Sequence, residues 1–158
     1  TGTQGQMVAC YAIKEWVNWT TEPNNHVNLL ANYTGGSAFT YEEWCADFVS
    51  YVYKQAGYPF TNGNYEGWDE DLAPDVINQG FTQQPSSYVP QPGDVAYFDY
   101  PGGHVEIVVV GGKTPTFIYG NSATIDPTTG NGEMAANTIT HDPVLGSLQY
   151  YMSPNSST

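Results

Sequence analysis

The stretch His104-Val105-Glu106-Ile107-Val108-Val109-Val110-Gly111-Gly112-Lys113-Thr114-Pro115-Thr116-Phe117-Ile118-Tyr119 decides the fold. Its two ends are rich in β-branched and aromatic residues, the types that fit a pleated surface, and each is short enough for a strand. Gly111-Gly112 between them is a hairpin signal, because glycine takes the positive φ that tight reversals need. Upstream, Asp94 to Tyr100 (Asp-Val-Ala-Tyr-Phe-Asp-Tyr) reads as another strand. Downstream, Asn137 to Thr140 and Leu148 to Met152 are weaker strand candidates, and Ala123 to Glu133 reads as a loop.

Moving towards the front of the chain, the period changes from two to that of a helix. Thr40 stands three residues before Glu43, the capping-box spacing, and Trp44, Phe48, Val49 and Val52 then mark one apolar face. Gly57 followed by Tyr58-Pro59 closes that helix. Further forward, Met7, Cys10, Tyr11, Lys14 and Val17 recur at helical spacing, with Gly5 before them and Thr20-Thr21-Glu22-Pro23 as the stop. Trp16, Trp19 and Tyr11 read as packing residues of that helix. A weaker third helix is expected from about Asp71 to Gln79, after a loop from Asn62 to Asp69. Helices first and strands afterwards predict an α+β fold, N-terminal helices packed on a C-terminal antiparallel sheet. No repeat or internal linker divides the 158 residues, so residues 1–158 are expected to form a single domain with its core at about 5–152 and a polar tail at 153–158.

Charge narrows the partners. The chain has 3 Lys+Arg against 16 Asp+Glu, a formal net charge of −13. So few bases cannot neutralise phosphates, which argues against nucleic acid and against an anionic membrane surface. An aromatic content of 15% is too high for a disordered acidic segment. The longest apolar run, Val105 to Val110 with Glu106 inside it, falls far short of the roughly 18 residues of a membrane span. The polar Asn/Thr/Tyr/Gly-rich style, and ends without an initiator Met, lead to the expectation of a secreted, monomeric piece of a longer precursor.

Three residue types carry the chemistry. The chain has two cysteines, Cys10 and Cys45, which in a secreted protein can form one disulfide. Cys45 has a second reading. It lies one turn into the capped helix, whose N-terminal partial positive charge favours thiolate, and Phe48 and Val49 anchor that helix to the core. Glu42 and Glu43 oppose the effect, so a nucleophilic Cys45 needs a base. Of the three histidines, His26 sits in a polar segment without local constraint and His141 in a turn-like, solvated site. His104 follows Pro101-Gly102-Gly103 and opens a strand, a fixed mount for an imidazole. Acidic residues Asp69, Glu70, Asp71 and Asp75 offer oxygen ligands for Ca²⁺, but their spacing is not that of an EF-hand and such runs usually stay solvated. No His/Cys set has zinc spacing and no phosphate-binding glycine motif is present, so no metal or nucleotide cofactor is expected.

Taken in order, four motifs resemble one family. Glu43-Trp44-Cys45-Ala46-Asp47-Phe48-Val49-Ser50 with Gln55-Ala56-Gly57 is similar to the nucleophile helix of CHAP-domain peptidoglycan hydrolases, in the wider NlpC/P60 papain-like group. Gln91-Pro92-Gly93-Asp94-Val95 resembles the P-G-D-[VI] start of a strand in that family, Gly103-His104-Val105-Glu106-Ile107-Val108 its histidine strand, and Phe117-Ile118-Tyr119-Gly120-Asn121 the strand ending in G-N. The resemblance implies a papain-like NlpC/P60 fold and cleavage of peptidoglycan amides, either N-acetylmuramoyl-L-alanine or a stem or cross-bridge bond. It assigns Cys45 as nucleophile, His104 as base, and Asn121 or its backbone as the group that orients the imidazole. Many members carry Glu two residues before that Asn, where this chain has Tyr119. That departure leaves open a non-catalytic wall-binding or partner-binding module on the same fold, or action on a different peptide amide. Glu106, on the strand face of His104, is a candidate helper or a groove-lining substrate contact. Trp44 and Trp68 are candidates for stacking on sugar and peptide, with core packing placed ahead of substrate contact for Trp44.

Overall fold

A computed structural model describes residues 3–36, 44–60, 80–99, 103–141 and 147–154. Three helices, α1 (Gln4–Thr21), α2 (His26–Tyr33) and α3 (Cys45–Gln55), precede six strands. These are β1 (Thr82–Pro85), β2 (Val95–Phe98), β3 (His104–Val110), β4 (Thr116–Tyr119), β5 (Ala135–Thr138) and β6 (Leu148–Ser153). The strands form one antiparallel sheet in the order β1-β6-β2-β3-β4-β5, on which the helices pack. This is the α+β arrangement expected from the change of period. The β3–β4 hairpin at Gly111-Gly112 is present, with φ of 106° at Gly112.

Local details differ from the pattern reading. The first helix begins earlier, at a capping box in which the Thr3 hydroxyl accepts from the Gln6 amide at 3.2 Å and the Gln6 side chain accepts from the Thr3 amide at 3.0 Å. Its buried face is Gly5, Val8, Ala9, Ala12 and Trp19, whereas Met7, Cys10 and Val17 point outwards. Small residues win because the helix lies close to the sheet: a Cβ on Gly93 would collide with the backbone of Gly5. The segment at His26, read as unconstrained, is the start of α2. The strand β5 lies two residues earlier than expected, and β1 had no sequence signal because its residues Thr-Gln-Gln-Pro are mostly exposed at the sheet edge. The expected helix at 71–79, the loop at 62–69 and the acidic residues Asp69 to Asp75 lie outside the described residues, as do Thr40, Glu42 and Glu43.

Both faces of β3 are covered, which makes it the centre of the molecule. Val105, Ile107 and Val109 join the helices in one core with Phe48, Val49, Val52 and Trp44. On the other face Val108 packs with Ala96, Phe98, Phe117, Tyr119 and Tyr151. The start of β2 is tied to β3 by the Pro-Gly-Asp turn. Gly93, at φ 91°, donates to Val108, the Asp94 carboxylate accepts from the Gln91 amide at 2.9 Å, and the Tyr53 hydroxyl of α3 donates to the Gly93 carbonyl. This motif therefore knits α3, β2 and β3 together.

Candidate active site

The α3 helix starts at Cys45 itself, with Trp44 as its N-cap and no side chain capping it. The expected cap at Thr40 would have placed Cys45 a turn inside. Instead the cysteine is the first helical residue, in the turn whose amide N–H groups have no partner within the helix and whose partial positive charge is strongest. Cys45 is 5% exposed, and no disulfide joins it to the exposed Cys10.

Trp44 fixes where this helix start sits. Its indole is fully buried, stacks at 5.6 Å on Tyr33 and meets Phe48 edge-on. The indole Nε1 donates to the Gly132 carbonyl at 2.9 Å. A Cβ on Gly120 would lie 2.5 Å from the same ring, so glycine at the end of β4 is what admits the tryptophan. The α3 start is thereby anchored beside Tyr119-Gly120-Asn121. Trp44 is a packing residue, and full burial removes it from the substrate contacts expected of it. Trp68, its counterpart in that expectation, lies outside the described residues.

His104 opens β3 and lies beside the same end of β4. Its ring meets the ring of Tyr119 edge-on, with centroids 5.1 Å apart and an interplanar angle of 89°, and lies 5.8 Å from that of Phe98. Imidazole Nε2 lies 2.8 Å from Oε2 of Glu106, two residues along the same strand face. Glu106 has no exposed surface. It does not line a groove, so the expected substrate contact is corrected: its carboxylate points to the imidazole. Asn121 follows β4 with φ 60°, a left-handed backbone that Asn tolerates better than most residues. Its Oδ1 lies 2.8 Å from where a Cβ on Gly132 would stand, so that side chain sits beside Gly132.

A second polar cluster went unread in the sequence. The His26 ring stacks on Trp19 at 3.6 Å, and its Nε2 donates to the Trp19 carbonyl at 2.8 Å. Its Nδ1 is 3.2 Å from Asp126, which also accepts from the Thr129 amide and hydroxyl at 3.2 and 2.9 Å. Trp19 in turn lies 5.6 Å from Trp44. His26 thus braces the loop after Asn121 against α1. Its partners are distant in sequence, and only Asp126-Pro127-Thr128-Thr129 carries the local mark of an Asx turn. His141 is exposed, as expected of a turn residue.

Among the described residues no group of three or more His, Cys, Asp and Glu side chains is arranged to hold a metal ion. No described helix is long and apolar enough to cross a membrane.

A comparison with curated proteins finds no match. The family model described as "CHAP domain" matches residues 32–121, more than half of the chain, from the end of α2 through Cys45 and His104 to Asn121. CHAP domains are peptidoglycan hydrolase domains of the papain-like cysteine peptidase type, and the three helices on a six-stranded antiparallel sheet agree with that fold. This chain belongs to the CHAP domain family.

Proposed function

We propose that the protein is a secreted cysteine hydrolase that cuts amide bonds of bacterial peptidoglycan, with Cys45 as nucleophile and His104 as general base. The observation that carries this reading is the seat of Cys45: the first residue of α3, inside the family match, with Trp44 clamped against the end of β4. The reaction follows from those groups. His104 takes the thiol proton, and the thiolate attacks the amide carbonyl carbon, forming a C–S bond. The developing oxyanion is stabilised by donors at the helix start, where amide N–H groups point outwards. The imidazolium returns its proton to the amide nitrogen, the C–N bond breaks, and an acyl-enzyme remains. Water, deprotonated by His104, then releases the acid and regenerates the thiol.

Resemblance to the family supports either an N-acetylmuramoyl-L-alanine amidase or a stem or cross-bridge endopeptidase. Mass spectrometry of digested sacculi distinguishes them: an amidase frees the L-alanine amine and the intact glycan, whereas an endopeptidase leaves stem fragments on the sugar. Cys45→Ala and His104→Ala are expected to abolish release of soluble fragments while retaining the native circular dichroism spectrum. Wild-type rates in either variant would overturn the mechanism. Hydrolysis of isolated peptides in preference to sacculi would move the substrate to a different amide. The absence of a disulfide between Cys45 and Cys10 counts against the version of a non-catalytic module in which such a bond blocks the site.

A further inference from the structure

We propose that Glu106 is the positioning residue for His104, supplying from β3 the carboxylate that many members of the family place two residues before the Asn, where this chain has Tyr119. The inference rests on the catalytic reading of His104 above. Its observation is direct: Glu106 Oε2 is 2.8 Å from His104 Nε2, with both groups buried and the carboxylate wholly so. Topology explains how one strand substitutes for the next. β3 and β4 pair Ile107 with Ile118 and Val108 with Phe117, and continuing that register sets Glu106 across from Tyr119 and His104 across from Asn121. A carboxylate at 106 and one at 119 therefore approach the same imidazole from neighbouring strands. Tyr119 fills the vacated position as an aromatic wall, edge-on to His104, and its hydroxyl accepts from the Asn137 amide at 2.7 Å.

The chemistry gives the carboxylate a task. An imidazole nitrogen bound to a carboxylate keeps its proton, so in the neutral ring Nε2 is the donor and Nδ1 holds the lone pair that can accept the thiol proton. Once His104 is charged, the same carboxylate stabilises the imidazolium and with it the thiolate–imidazolium pair. Burying a carboxylate on a central strand is costly unless it is paired, and the imidazole is the partner that offsets it. Among the described residues, the titratable side chains set against His104 include Glu106 on its own strand and Tyr119 from β4.

The test uses the full chain in a Cys10→Ser background, because the exposed Cys10 thiol would otherwise react as well. Glu106→Gln keeps the shape and an acceptor but removes the charge. It is expected to lower kcat on sacculi about 100-fold with KM changed less than about twofold. Iodoacetamide should then alkylate Cys45 half-maximally at a higher pH than in the parent, because an imidazolium without its carboxylate stabilises thiolate less. A purely structural Glu106 would change the melting temperature without moving that pH profile. Glu106→Ala/Tyr119→Glu returns a carboxylate from β4 and is expected to recover at least about tenfold of the activity lost in Glu106→Ala. Parental kcat and an unshifted alkylation profile in Glu106→Gln, with Cys45→Ala and His104→Ala inactive, would overturn the positioning role alone. Activity in Cys45→Ala or His104→Ala would instead overturn the catalytic reading beneath it. Failure of Glu106→Gln to fold leaves the decision to the double variant, where no recovery over Glu106→Ala counts against the proposal.

Discussion

The indole Nε1 of Trp44 donates to the Gly132 carbonyl at 2.9 Å, across a separation of 88 residues. The same indole occupies the space that a side chain on Gly120 would need. These contacts join the N-cap of α3 to both sides of the loop that follows β4. The position of Cys45 relative to the β4 end is therefore set by one aromatic side chain and one missing Cβ.

Gly120→Ala is expected to destabilise the protein by about 1–3 kcal/mol, since the added methyl would stand 2.5 Å from the indole. Trp44→Phe loses the hydrogen bond to Gly132 and packing volume, at a similar cost. The smaller ring makes room for the methyl, so the double variant should be less destabilised than the sum, by at least about 0.5 kcal/mol in urea unfolding. Strict additivity would show that the two sites do not share this space.

His26→Ala removes the stack on Trp19, the hydrogen bond to its carbonyl and the neighbour of Asp126. We expect a loss of about 2–4 kcal/mol and a fall in hydrolysis, because the braced loop adjoins Asn121. Asp126→Ala should be less than additive with it. Urea unfolding of the two single variants and the double checks this, and a His26→Ala variant as stable as the parent would contradict the bracing.

Alkaline pH should unfold the protein by way of its tyrosines. Tyr33 and Tyr53 have phenols pushed well above the usual value of 10, mainly by burial, with Glu15 adding to the first and Asp94 to the second. Tyr88 and Tyr150 shift in the same direction, again mainly by burial. Unfolded tyrosine loses its proton near pH 10 while the folded form retains it, so above pH 10 the unfolded state binds fewer protons and stability falls. Below pH 10 the contribution is intact. Tyr33 and Tyr53, whose phenols are held far above that value, each steepen the decline by up to about 1.4 kcal/mol per pH unit. Tyr53→Phe should flatten the dependence of the melting temperature between pH 10 and 11.5, and an unchanged slope would exclude Tyr53 as a contributor.

Ionic strength should raise the rate on walls that carry anionic polymer. A net charge of −13 sets the domain against such a surface, and added salt shortens the range of that repulsion. Turbidity assays on sacculi with and without the anionic polymer should diverge at low salt and converge at about 0.3 M NaCl. A steep loss of rate with salt on both would mean that attraction, not repulsion, governs the encounter.

Much of the fold was legible in the sequence because it rests on local chemistry. The β-branched run at Val105 to Val110 and the Gly111-Gly112 reversal give the central hairpin, and Gly57 with φ 94° ends α3. The buried side of α1 was legible only in part. Trp19, Trp16 and Tyr11 pack on the core as read, but Met7 and Val17 are exposed while Val8, Ala9 and Ala12 are buried, since hydrophobicity ranks residues while close approach selects for small ones. The pairs Glu15–Tyr33, linked by a hydrogen bond of 2.8 Å, and His26–Asp126 were equally silent, because nothing local to one partner announces the other.

At the candidate site the division is sharper. By itself the sequence singled out the candidates for the chemistry: a cysteine near a helix start, a histidine opening a β-branched strand, and the Gly-Asn that ends the next strand. Those assignments depend on residue type and short spacing, which a linear chain states outright. Tertiary structure alone decided what each of those residues touches. It begins the helix at Cys45, buries Trp44 against Gly120, and points the wholly buried Glu106 carboxylate at the His104 imidazole. The alternation of a strand places residues 104 and 106 on one face, but whether that face is open to substrate or sealed is settled by the strands and side chains that cover it. Burial is a property of the neighbours, and the neighbours are chosen by folding.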